Sequence, residues 1–126
     1  MSTSGSEAKR GTVYTFYSFK GGTGRTMALA NVATLMAKWD HSVLVIDWDL
    51  EAPGIERFFA SSHTAARKLR ASSPGIIDLM QGWAEGKEVD WRSCILELES
   101  GVSLISAGRG VTSRQSLCCP IFWPIN

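Results

Sequence analysis

Apolar and polar positions alternate along the chain in blocks of strand and helix length. Val13, Tyr14, Thr15, Phe16 and Tyr17 are β-branched or aromatic and predict a buried strand. Residues 18–24 are polar and glycine-rich, a turn. From Thr26 onward, Leu29, Val32, Ala33 and Met36 recur at the i, i+3, i+4, i+7 spacing of a helix with one buried stripe. That helix is expected to end around Trp39, before Asp40, His41 and Ser42. Val43, Leu44, Val45 and Ile46 form a continuous apolar run of strand length, the pattern of a parallel strand covered on both faces.

Pro53 and Gly54 then interrupt the chain, and residues 55–60 have the length of a short helix. Residues 61–73 read as polar and irregular, with a basic cluster at Arg67, Lys68 and Arg70. Ile76, Ile77, Leu79, Met80 and Trp83 predict a second amphipathic helix ending near Gly82 or Gly86. Val102, Ser103, Leu104, Ile105 and Ser106 predict a third strand. The last stretch, residues 116–126, is apolar, contains Pro120 and Pro124, and has neither helical nor strand periodicity.

Strand, glycine-rich turn, helix and strand together predict an α/β fold, a parallel sheet of three or four strands with flanking helices and an open edge. A right-handed βαβ unit brings the loops after both strands to the same carboxyl edge of the sheet, where such folds bind ligands. Ser18, Phe19, Lys20, Gly21, Gly22, Thr23, Gly24, Arg25 and Thr26 would therefore lie beside Asp47 and Asp49. Backbone N–H groups of a glycine turn, set at a helix N-terminus, make a cradle for phosphate.

Composition narrows the class without changing this picture. The 126 residues suffice for one domain with a real core, and a net charge of +1 supplies no general attraction to nucleic acid or an anionic membrane. Three cysteines, Cys94, Cys118 and Cys119, make neither a Cys-x-x-Cys pair nor an even disulfide set, so a reducing, cytoplasmic setting is expected. Residues 1–11 are small and polar, with no apolar stretch of a signal peptide, and no apolar run approaches the ~20 residues of a membrane span.

The general phosphate-loop pattern Gly-x-x-x-x-Gly-Lys-Ser/Thr is met only partly: its first glycine falls on Phe19 and its lysine on Arg25. The narrower series Lys20, Gly21, Gly22, Thr23, Gly24, Arg25, Thr26, followed by an apolar strand ending in Asp47-Trp48-Asp49, resembles the deviant Walker A ATPases of the ParA/MinD family. It is most similar to the bacterial branch whose loop reads Lys-Gly-Gly-x-Gly-Arg-Thr. The likeness in layout extends over residues 13–109.

This resemblance implies a P-loop fold binding ATP and Mg²⁺. The nucleotide would be held by Lys20, Gly21, Gly22, Thr23, Gly24, Arg25, Thr26 and Met27. Lys20 would be the signature lysine that reaches phosphates across a nucleotide-sandwiched homodimer, and with Asp49 it forms the implied catalytic pair. Thr26 would place its hydroxyl on Mg²⁺, with Asp49 in the metal shell and Asp47 beside it. Arg25 stands where the family usually carries a lysine; guanidinium keeps the charge but is planar and bulkier.

The family's later strand ending in aspartate, and its base-binding segment, are not found before Asn126. The expected organisation is a leader over residues 1–11, a partial P-loop domain over 12–110 and an aperiodic apolar tail over 111–126, in a truncated or frame-shifted member. The expected function is Mg²⁺-dependent ATP binding as a dimer switch, with hydrolysis in the complete parent protein. The alternatives are a non-catalytic nucleotide-binding module of a signalling protein, and a DNA-partitioning ATPase using Arg67, Lys68 and Arg70. A Rossmann dinucleotide loop with Asp47 on the ribose fails because its third glycine falls on Met27. His41 and His63 have no second ligand at metal spacing.

Overall fold

The computed structural model of the chain describes residues 11–108. Most of the leader, the apolar tail with Cys118 and Cys119, and the side chains of His63 and Arg70 lie outside the described residues. The elements are helix α1 (Arg25–Lys38), strand β1 (Val43–Ile46), helix α2 (Glu56–Phe59), helix α3 (His63–Ser72), helix α4 (Ile76–Ala84), a 3₁₀ turn (Trp91–Cys94), strand β2 (Leu96–Glu97) and strand β3 (Val102–Ile105).

The sheet has the order β1-β3-β2 and is mixed. β1 runs parallel to β3 in the register Val43↔Val102 through Ile46↔Ile105, and Asp47 N–H extends that ladder to Ile105 O at 2.9 Å. β2 is antiparallel to β3, which corrects the expectation of an all-parallel sheet. The cause is local. Leu98 N–H bonds Val102 O and Gly101 N–H bonds Leu98 O, and Gly101 takes φ 78°. This closes a tight hairpin that no apolar periodicity announces.

Two apolar clusters sandwich the sheet. On one face Ala33, Val45, Ile55, Val102 and Leu104 are buried, with Leu29, Phe59 and Leu69 packed against them from α1, α2 and α3. On the other, Ile76, Cys94 and Ile105 are buried with Leu50, Leu79 and Ile95. The second cluster lies over β3 rather than β1, and Leu44 and Ile46 remain 44% and 45% exposed. The apolar run of β1 is therefore covered on one face, not two.

Three further expectations change. Residues 13–17 form no strand, and Val13 is 90% exposed. β1 pairs only with β3 among the described residues, so no ladder partner reaches this segment, and β-propensity without a partner does not make a strand. Residues 61–73 are mostly helical rather than irregular, because Ser62 caps α3 by accepting Ala65 N–H at 3.1 Å and Ala66 and Leu69 turn to the core. The buried stripe of α1 is Ala30 and Ala33 with Leu29 and Ala37, while Val32 is 41% exposed. Small alanines let the helix lie close on the sheet. Among the described residues, no helix is long and apolar enough to cross a membrane.

Candidate functional site

The glycine loop leads directly into α1. Gly24 sits at the N-cap with φ 76°, and Gly22 has φ 73°, both in the left-handed region where any Cβ is strained. At Gly21 and Gly22 an added Cβ would meet nothing within 4 Å, so the protein's own packing does not require these glycines. No side chain caps α1 and its first turn contains no acidic residue. Its N-terminal N–H groups thus present partial positive charge to an open loop, an arrangement that fits an anionic phosphate.

Ser18, which the motif reading left without a role, ties the loop together. Its hydroxyl donates to Lys20 O at 2.9 Å and accepts from Thr23 Oγ1 at 3.0 Å. Arg25 Nη1 reaches the Ser18 Oγ at 3.3 Å and its carbonyl at 3.5 Å. Its position directly after the apolar run that ends at Tyr17 is the one signal in the sequence that could have marked it. Lys20 is exposed, Thr26 is half-buried in the first turn of α1, and Met27 is 52% exposed next to it.

The second half of the site follows β1. Arg25 Nη2 donates to Asp49 Oδ2 at 3.1 Å, so the loop and the second aspartate are neighbours across 24 residues of sequence. Asp49 Oδ1 accepts Ala52 N–H at 3.1 Å. Asp47 points elsewhere. It is buried, its Oδ1 accepts Asp49 N–H at 3.1 Å, and its Oδ2 accepts the N–H groups of Gly54 and Ile55 at 3.3 and 3.5 Å. Both its oxygens therefore serve the turn over residues 47–55.

Burial pushes the Asp47 carboxyl above its ordinary value; the three backbone N–H bonds pull the other way, and the charge of nearby Glu56 adds to the rise. Glu56 is fully buried at the start of α2, a position that polarity alone did not single out. Arg67 and Lys68 lie exposed on α3. Among the described residues, no three His, Cys, Asp or Glu side chains cluster as a metal site. Thr26, half-buried in the first turn of α1, and the partly exposed Asp49 are the oxygen-bearing side chains of the predicted set that could share a divalent cation with a phosphate chain.

Comparison with known families places these features in one domain. The model of the CobQ/CobB/MinD/ParA nucleotide binding domain matches residues 14–104, which include the glycine loop, both aspartates and most of β3. Neither a curated protein nor a solved structure matches the chain. With a match over most of its length, the chain belongs to the CobQ/CobB/MinD/ParA nucleotide-binding domain family.

Proposed function

We propose that the chain binds ATP with Mg²⁺ and acts as a nucleotide-dependent dimer switch that couples to ATP hydrolysis. The observation that carries this reading is the pairing of an uncapped helix N-terminus with a positive-φ glycine loop whose Arg25 touches Asp49. The loop N–H groups and Arg25 would hold phosphate, Thr26 and Asp49 would complete a Mg²⁺ shell, and exposed Lys20 would reach the partner's nucleotide. Bound Mg²⁺ supplies charge neutralisation along the phosphates, and phosphoryl transfer asks the protein mainly for positioning. Asp47 supports the site indirectly, by holding the turn that presents Asp49.

Calorimetric titration with ATP and Mg²⁺, alongside a coupled phosphate-release assay, tests this reading. Binding weakened by Lys20→Ala, together with phosphate release abolished by Asp49→Ala, is the expected result for an active switch. Saturable binding with no release supports the non-catalytic module instead. Absence of any nucleotide binding by the wild-type protein overturns the proposal.

A further inference from the structure

We propose that Arg25 and Asp49 form a latch, which ties the glycine loop to the segment after β1 and opens when a phosphate takes Arg25 from Asp49. The inference rests on the nucleotide reading above and adds to it an order of events. Arg25 is held from two sides: Nη2 on Asp49 Oδ2 at 3.1 Å, and Nη1 on Ser18 Oγ at 3.3 Å. Ser18 is itself bonded to Lys20 O and Thr23 Oγ1, so the guanidinium is anchored to the whole loop. Asp49 is anchored just as firmly on its side. Its Oδ1 accepts Ala52 N–H, and its own N–H donates to Asp47, which in turn holds Gly54 and Ile55. One side chain thus joins residues 18–25 to residues 47–55.

The strength of this tie suits a latch. The two side chains are 32% and 36% exposed, and an ion pair that reaches solvent on this scale is readily exchanged. A phosphate offers guanidinium a more highly charged, bidentate acceptor than a single carboxylate oxygen. When Arg25 turns to phosphate, Asp49 loses its cation and the turn over 47–55 loses its connection to α1. The released carboxylate then stands beside an anion, where a divalent cation relieves the repulsion. Anion binding and release of the 47–55 segment are therefore coupled, and metal-free nucleotide must compete with Asp49 for Arg25.

The test is a binding cycle with ATP in excess EDTA. Asp49→Asn breaks the ion pair but keeps an oxygen for Ala52 N–H. We expect it to bind metal-free ATP about twofold to fivefold more tightly than wild type, the range of an exposed ion pair. That gain is expected to vanish in an Arg25→Gln background. Glu51→Gln removes a neighbouring exposed charge without touching the pair and reports general electrostatics.

An Asp49→Asn gain equal to that of Glu51→Gln, or one that persists without Arg25, overturns the latch while leaving nucleotide binding intact. No binding by any variant overturns the nucleotide reading and the latch with it. Should Asp49→Asn fail to fold, hydrogen exchange on the wild type decides. The amides of Ala52, Gly54 and Ile55 are expected to exchange faster when ATP binds in EDTA; unchanged or slower exchange rejects the latch.

Discussion

Arg25 Nη2 lies 3.1 Å from Asp49 Oδ2, joining the first turn of α1 to the segment after β1. Two features of the chain separated by a whole helix are thereby brought into contact. Because the same guanidinium is a candidate phosphate donor, Arg25→Ala removes a phosphate contact and a tether together. The expected result is an ATP affinity in Mg²⁺ lowered by about tenfold or more, the value of one charge-assisted hydrogen bond, measured by calorimetry.

Asp47 makes the folded state sensitive to pH in a defined direction. Its carboxyl titrates above the ordinary value of 3.8 because burial disfavours the charged form, so the folded chain holds this proton more tightly than the unfolded chain. Between 3.8 and the raised folded value the native state binds more protons, and linkage makes stability fall as pH rises. The contribution is complete below 3.8 and is lost as pH climbs through the folded value. Urea midpoints of metal-free wild type, taken relative to Asp47→Asn, should decline over that window; a flat or rising difference contradicts the assignment.

Gly75 is set by crowding. A Cβ there would stand 2.3 Å from Ser106 O and 2.5 Å from Gly108 N, because α4 docks its first turn onto the end of β3 through Ile76 N–H to Ser106 O and Ile77 N–H to Ala107 O. Backbone atoms cannot give way as a side chain does. Gly75→Ala should cost about 1–3 kcal/mol, the usual penalty of overpacking, or more. A denaturant titration with an unchanged slope checks it.

Asp40 carries the opposite strain. It is the one non-glycine residue with positive φ, 61°, among the described residues, at the turn that ends α1 where His41 N–H bonds Met36 O. A residue with a Cβ costs about 1–2 kcal/mol there, while glycine fits without strain. Asp40→Gly is expected to stabilise the fold by about 0.5–1 kcal/mol after its greater unfolded-state entropy is counted. A thermal midpoint that drops would contradict this.

How far the chain could be read without its structure follows from which interactions are local. The helix over Arg25–Lys38, the strands Val43–Ile46 and Val102–Ile105, the helix Ile76–Ala84 and the glycine loop all carry their signal in neighbouring residues, as apolar spacing or turn chemistry. So does the resemblance to a nucleotide-binding family, which the glycine loop and the aspartates after Val43–Ile46 carry and which agrees with the family match over residues 14–104. Long-range partners decided the rest. Residues 13–17 have strand composition but no ladder to join; β2 owes its antiparallel place to a hairpin closed by Gly101; and two similar aspartates part ways, Asp47 turned inward onto Gly54 and Ile55, Asp49 outward onto Arg25. Spacing along the sequence brings residues to one sheet edge, but only packing in three dimensions determines which hydrogen-bond donors each carboxylate finds there.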